Sequence, residues 1–519
     1  MGRYAARQTK TSADYMVAGR QMNAFLMAMA YGATFISTSA IVGFGGQAAA
    51  NGMSLLWLSF ANIVLGIFFA FIVLGTRTRA LGQALDVRTL PDLLGRRYNS
   101  NFIQSYAGAV IAIMMPIYAA AVLIGGARFL EGALAIPYWL AYVITAAIVG
   151  WYVFYGGLKA VMYNDALQGL LMLAGIGLLY VLTYVKLGGF GAAHEALTAM
   201  TPLVPAKLKE AGHLGWTSMP AFGSANWWFV FSTLVMGVGV GILAMPTTIS
   251  RFFTVPRDRD IYRALTVGGP FIFVIPGTVY VVGALSNIWF HRTTGKLAIE
   301  VAGGNVDKII PAFISGAMPP VLTYLFVLTM LAACMSTYSG QVHLIGTALG
   351  YDLNRNVRQD ERRRFFWSRY GMLIGLIVSM IVGAVFPGNI IAVATAITFG
   401  FCCAAFLPIY LAGLYWKRVS TTAATWSMVS GTVVYWFYMM FGNARMAGIF
   451  KLGPALMGRP SLAGFPWSVV DPLTFALPVS CAVLVVLAFV TAPMEAKHVE
   501  KVWHAFGRKA PASSAAAGN

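Results

Sequence analysis

Charge is scarce in this 519-residue sequence: Asp, Glu, Lys and Arg together make 10% of it, where a soluble domain carries about a quarter. Cysteine is scarcer still. Cys334, Cys402, Cys403 and Cys481 all fall in apolar stretches without metal-ligand spacing, which excludes a disulfide framework and a zinc centre and leaves them as inert core thiols. No nucleophile and base with hydrolase or metal-type spacing occurs among so few polar residues, so an enzyme is disfavoured. No apolar run precedes residue 22, so no cleavable signal peptide is visible and the first apolar helix must insert as its own signal. What is abundant is apolar: 59% of residues are hydrophobic and the mean hydropathy is +0.72. A membrane protein follows. Its 13 Trp, 23 Tyr and 55 Gly agree, since amphipathic rings gather at membrane interfaces and Gly is common in membrane helices.

Apolar stretches long enough to cross a bilayer as helices fall near 22–48, 53–75, 104–127, 137–155, 162–186, 227–250, 265–288, 317–349, 367–387, 390–415, 421–441 and 471–492. The expected fold is therefore an all-α polytopic membrane protein of about twelve transmembrane helices. The formal charge of +19 suggests nucleic acid until the basic residues are located. With the N-terminus inside, 26 of the 36 Lys and Arg lie on the cytoplasmic side, among them Arg77 to Arg97, Arg251 to Arg263, Arg355 to Arg369, and Lys497, Lys501, Arg508 and Lys509. That asymmetry is the positive-inside pattern. It removes the case for nucleic acid and leaves anionic lipid headgroups as contacts. The outer loops 187–226 and 442–470 hold Gly, Pro and Trp and suit short interfacial helices; the end of the tail, Ala510 to Asn519, is small and polar and expected to be disordered.

Irregular backbone at membrane depth is tolerated only where it lines a cavity or is buried in protein. Two spans carry the signal for it. The first reads Tyr31 to Gly46, dense in Gly and hydroxyls, and the sixth reads Gly237-Val-Gly-Val-Gly-Ile-Leu-Ala-Met-Pro-Thr-Thr248. Five spans separate their starts, as a five-plus-five inverted repeat requires, and paired interrupted helices at matching positions point to a binding site. In the eighth span Ala333, Ser336, Thr337 and Gly340 share one helical face. Such a stripe is often a packing seam. It also suits sodium, a hard cation that two hydroxyls and the carbonyls of an unwound helix can hold without a carboxylate. Opening the first helix near Ala33 and Ile36 would free two carbonyls to face Ala333, Ser336 and Thr337.

Asp165 is a carboxylate inside the fifth span, where an unpartnered Asp costs about 2.5 to 3.5 kcal/mol at a helix centre. Either it has a task, or it lies shallow and pairs with Lys159. Arg128 and Glu131 are three apart near the outer end of the third span and can pair on one helix face; the sharper idea is that Arg128 attracts an anionic substrate. His343 reads as a packing histidine.

The chain resembles the sodium:solute symporter family over nearly its whole length. The likeness is carried by Thr9 to Arg20, by Gly156-Gly-Leu-Lys-Ala-Val161 with Asp165 and Gln168, by Pro246 with Arg251-Phe-Phe253, by Asp307-Lys-Ile-Ile-Pro311, and above all by the run ending Met335-Ser-Thr337, followed by Asp352-Leu-Asn-Arg355. The resemblance implies a leucine-transporter-like fold and a sodium site formed by carbonyls of Ala33, Ile36 and Ala333 with hydroxyls of Ser336 and Thr337. Some relatives are similar in having positions for a second sodium, here Asp165, Ser336, Ser339 and Gly340. Gly340 lacks the hydroxyl, so one-sodium coupling is expected. Family members usually carry one further helix ahead of the Thr9 segment, which makes this chain N-terminally short by one helix, and many have Gln where Met245 stands.

The expected organisation is a cytoplasmic segment 1–20, a ten-helix inverted-repeat core 21–415 (repeats near 21–186 and 227–415), two further helices in 416–493 and a cytoplasmic tail 494–519. The expected function is sodium-coupled symport of a small organic solute, a monocarboxylate, amino acid or pantothenate-like acid, by a monomer in the cell inner membrane with both termini cytoplasmic. Sodium, the solute and membrane lipids are its partners. Thr38, Ser39, Tyr118, Met245 and Arg128 are the candidate substrate residues. Two alternatives stay open: a proton-coupled permease using Asp165, and a membrane sensor that binds solute without transporting it.

Overall fold

The computed structural model describes residues 2–354, 360–387 and 389–507, and no strand occurs among them. Arg355, Arg508, Lys509 and the tail 510–519 lie outside the described residues. Each expected apolar stretch is mainly helical, and among the described residues nine helical runs are long and apolar enough to cross a membrane. Two of the nine join neighbouring expected stretches, Ser39–Ala84 and Tyr138–Leu187, and the expected 421–441 stretch is the shorter helix Thr421–Phe437, outside the nine. The fourth and fifth helices form a single run, Tyr138–Leu187, that reverses at Gly157 (φ 53°, ψ −148°). Only glycine fits there, since a Cβ would lie 2.6 Å from the Tyr15 carbonyl oxygen. The N-terminal segment is thereby packed on that turn, with Lys159 3.3 Å from Asp14, and Asp14 completes a capping box with Thr11.

Several helices outrun their apolar stretches. The third is Asn101–Leu134, started by the Ser100 side chain accepting from Ile103 N–H, and the seventh is Asp258–Thr294, with Asp258 and Asp260 in its first turn favouring the helix dipole. Polar ends of this kind carry no hydropathy signal, which is why the boundaries shift. Large apolar side chains such as Phe60 (58% exposed) and Val185 (68%) point outward, as lipid contact requires. Cys334, Cys402 and Cys403 are buried as expected, but Cys481 is exposed on the outside of the last helix and is no core thiol.

The eighth helix, Pro320–Thr347, is the central post. The third helix meets it where Gly126 leaves room for Cys334, the fifth where Gly175 sits against Thr329, and the fourth through Tyr152, whose hydroxyl donates to the Met335 carbonyl (3.1 Å). The two final helices, Thr421–Phe437 and Leu473–Val490, pair through Ser427 and Ser480 (3.0 Å between hydroxyls) and pack on the tenth, Ile391–Tyr415, where Gly431 lies against the Ala404 carbonyl. The loops 187–226 and 442–470 do carry short helices, Phe190–Ala199 and Ala444–Phe450 among them.

Candidate functional site

The first helix runs from Ala24 to Phe35, capped by Asn23, and leaves helical geometry at Ile36 (φ −97°, ψ 93°). It resumes as Ser39–Phe44 with wide, π-type turns and continues as Gly45–Asn51. In an unbroken helix the carbonyls of Ala33 and Thr34 would accept from the N–H groups four residues on. Here they turn to the eighth helix. The Ser336 hydroxyl donates to Ala33 O (2.9 Å) and lies 3.3 Å from Ala333 O, while the Thr337 hydroxyl donates to Thr34 O (3.1 Å) and reaches Ala33 O at 3.5 Å. Three carbonyls and two hydroxyls thus converge in a site whose residues are at most 3% exposed. Ile36 forms the break itself; among the described residues its carbonyl takes no part in this hydrogen-bonding.

The sixth helix is broken as well. After Gly241–Ala244 the chain becomes extended at Met245 (φ −68°, ψ 117°) and restarts at Pro246, in the first-turn position where a missing N–H costs nothing. The Met245 carbonyl accepts from Ile249 N–H (3.1 Å), the first bond of the new helix, and also from Thr248 Oγ1 at 2.8 Å. Beside the first break, Thr38 donates to Val122 O (2.6 Å), Tyr118 donates to Ser37 Oγ (3.2 Å), and the Tyr118 ring meets Phe399 edge-on at 5.2 Å. Gly241 of the sixth helix lies against Phe399, where a Cβ would come within 2.7 Å. Ser39 is fully buried and its hydroxyl has no hydrogen-bond partner among the described residues. Thr38, Ser39, Tyr118 and Met245 are all sealed, at 0 to 2% exposure. Arg128 is not among them. It stands near the C-terminal end of the third helix, paired with Glu131 (2.8 Å) and lying over the Tyr138 ring (4.2 Å).

Asp165 is fully buried, and the shallow pairing with Lys159 fails because Lys159 reaches Asp14 instead. The partner of Asp165 is Arg251, one turn beyond Pro246 (2.9 Å, side chains 0% and 1% exposed). Thr34 closes a triangle: Arg251 Nη2 donates to its hydroxyl (2.7 Å), which donates to Asp165 Oδ2 (3.1 Å). The first, fifth and sixth helices are therefore tied together one residue from the Ala33 carbonyl. Arg251 was legible only as a basic residue at a span end, and Thr34 only as one hydroxyl among many. The available signal was the isolated Asp165, which demanded a cation from some other helix. At Gly340 a Cβ would lie 3.6 Å from Arg251 Nη2, and Ser339 donates to its own helix at Ser336 O (3.0 Å). His343 is a packing residue bonded to Tyr15 O (2.9 Å).

Two broken helices around a post of hydroxyls narrow the class, and the family model for the sodium:solute symporter family matches residues 15–431. The chain belongs to the sodium:solute symporter family. The osmoregulated proline transporter of Bacillus subtilis is 25% identical over 463 residues, 88% of this chain and 89% of that one. The sodium/pantothenate symporter of Haemophilus influenzae is 27% identical over 451 residues, 86% and 87% of the two chains. A sodium/proline symporter of Staphylococcus aureus is 26% identical over 470 residues, 88% and 87% of the two chains. Among solved structures, a substrate-bound, outward-open Na+-coupled sialic acid symporter superposes with TM-score 0.72 at 16% identity, covering 95% of each chain. The fold is thus leucine-transporter-like. This symporter is a multi-pass membrane protein whose family couples sodium to a small solute, and its relatives are transporters rather than enzymes.

Proposed function

We propose that the protein carries a small carboxylate-bearing solute, an amino acid, monocarboxylate or pantothenate-like acid, into the cell with one sodium ion. The observation that carries the reading is the set of five oxygens from Ala33, Thr34, Ala333, Ser336 and Thr337. A hard cation of this size takes oxygens at about 2.4 Å, which sets neighbouring ligands about 3.4 Å apart in an octahedral shell. The oxygens here are already 2.9 to 3.5 Å apart, and the Ile36 carbonyl at the break is a sixth candidate. Exchanging two hydroxyl hydrogens for one cation needs little movement. Sodium bound there holds the first helix to the eighth, and it shifts the conformational balance by its differential affinity for that arrangement.

One sodium, not two, is favoured by Arg251. Its guanidinium neutralises Asp165 and borders Gly340, so the second cation position is filled by the protein's own charge. The same pair speaks against proton coupling through Asp165, because that carboxylate is already committed to a guanidinium. Asp165 Oδ1 and Arg251 Nε and Nη1 lack partners, and a cavity of about 10 Å³, room for about one water, touches Thr247, Arg251, Gly340 and His343. We place the cytoplasmic exit of sodium there. The pair opens when the inner half of the sixth helix moves away, and one bundle rocks against the other to alternate access.

Solute binds between the breaks, at Thr38, Ser39, Tyr118 and Met245; the unpartnered Ser39 hydroxyl offers a hydrogen bond to it. The relatives named for proline and pantothenate both handle carboxylates, which favours that class. The basic asymmetry supports an inner-membrane location with both termini cytoplasmic, and anionic lipid contacts. A thermal-shift screen of carboxylates, amino acids and vitamins, with and without sodium, finds the solute. Proteoliposome uptake of that solute then stops when potassium replaces sodium outside, and equal uptake in the two buffers refutes the reading.

A further inference from the structure

Outside the two breaks, one cavity combines opposed charges with a buried orphan oxygen. It measures about 300 Å³ and lies between the outer end of the third helix, the start of the fourth and the loop before the tenth, lined by Arg128, Tyr138, Trp139, Asn305, Asp307 and Phe386. That size is at the lower end for small-ligand pockets, ~300 to 1,000 Å³. Asp307 belongs to the loop between the seventh and eighth helices. Its backbone N–H donates to Asn305 Oδ1 (3.0 Å), and its Oδ2 accepts from Ile391 N–H at the start of the tenth helix (3.4 Å). Its other oxygen, Oδ1, has no hydrogen-bond partner among the described residues although the residue is only 4% exposed. A buried acceptor left without a donor is costly, and a ligand that donates removes the cost.

On the opposite wall Arg128 uses only Nη1, toward Glu131. Its remaining donors form the planar edge that matches a carboxylate. Tyr138, Trp139 and Phe386 supply aromatic surface on which an ammonium is favoured. Ile124 closes the cavity, and the next residue, Gly125, lies against Thr38, where a Cβ would come within 3.1 Å. The cavity therefore ends one residue short of the first-helix break.

We infer that this crevice is an outer binding station for a small zwitterion, with its carboxylate on the Arg128 guanidinium and its ammonium on Asp307 Oδ1. The inference deepens the transport reading, on which it rests for the solute's onward route to Thr38. Occupancy itself needs neither sodium nor Ser336 and Thr337, so the two can fail separately.

Saturation-transfer NMR on the whole protein in detergent micelles, in potassium buffer free of sodium, tests it with three isosteric probes: L-alanine, propionate and ethylammonium. L-alanine gives a saturable signal, and each single-charge probe binds about tenfold more weakly, the loss of one charge-assisted contact. Arg128→Gln and Asp307→Asn each weaken L-alanine about tenfold, while Arg128→Lys restores part of the affinity. Asp307→Asn keeps an acceptor for Ile391, so the loop stays anchored, and unchanged melting of the variant verifies this. Ser336→Ala with Thr337→Ala retains the L-alanine signal. Absence of an L-alanine signal in the unaltered protein, an undiminished signal in both charge variants, or ethylammonium binding as tightly as L-alanine each overturns the station. Sodium-independent uptake alongside an intact L-alanine signal refutes the coupling reading alone.

Discussion

The two broken helices look alike in sequence and differ in what answers the carbonyls at the break. At the first break, Ala33 and Thr34 are met by hydroxyls from the eighth helix, so the oxygens of two separate elements converge on one point. At the sixth, Met245 is met by Ile249 N–H and the Thr248 hydroxyl, both in the next turn of the same chain. A hydroxyl from another helix can yield to a cation and thereby fasten two elements together. A hydroxyl from the next turn only finishes a cap. Glycine and proline permit a break in either place; whether the break becomes an ion site depends on what faces it.

The largest effect should come from the triangle that joins the two breaks. Removing one partner of a buried pair leaves a charge uncompensated, typically at about 3 to 5 kcal/mol, so Arg251→Gln should melt far below the unaltered protein, and Arg251→Gln with Asp165→Asn should recover much of the loss. A double variant no more stable than the single would dissolve the link between the breaks. Next in size, Ser336→Ala with Thr337→Ala should weaken apparent sodium affinity about 10- to 100-fold, as lost metal-site contacts do, measured as the sodium concentration that half-maximally supports uptake. Thr248→Ala should cost about 1 kcal/mol of thermal stability, the usual worth of such a hydrogen bond, with sodium affinity unmoved. A large shift in sodium affinity there would erase the contrast between the two breaks.

The smallest effect concerns the outer crevice and has a defined sign. Burial raises the Asp307 carboxyl to about 6, offset in part by the backbone of Ile391 and Ile390 and by Arg128. Arg128, backed by Glu131, faces it from the third helix, and exposed Lys308 follows it in the chain. Above about 6 the carboxylate is charged and holds an ammonium; as pH falls through that value it is neutralised, and L-alanine binding should weaken. The folded state binds this proton more tightly than the unfolded chain does. The group's own contribution to stability is therefore present in full below the ordinary carboxylate value of 3.8 and lost as pH rises through about 6. The L-alanine titration should be flat in Asp307→Asn.

Much of the fold was legible because lipid imposes a simple grammar: long apolar runs are helices, and basic residues stay inside. The Gly and Pro content of the first and sixth spans marked both breaks, and the spacing of Ser336 and Thr337 placed both hydroxyls on one face. Thr34 was not legible, because which carbonyl a hydroxyl meets depends on the rotation of one helix against another. Arg251 was not legible either, since it is 86 residues from Asp165 in sequence and resembles any basic residue at a span end. The boundary of the seventh helix slipped for a related reason: its first turn is held by acidic residues at the helix dipole and not by hydropathy.

Composition and periodicity, which act locally along the chain, determined by themselves that this is a helical membrane protein with two interruptible spans and a hydroxyl face on the eighth. Only the tertiary structure decided that Asp165 belongs to Arg251 and Thr34, and that Thr34 shares the first-helix break. It alone set Asp307 across a cavity from Arg128. Those pairings are set by how helices distant in sequence rotate and cross, and no local property of the chain encodes such an angle.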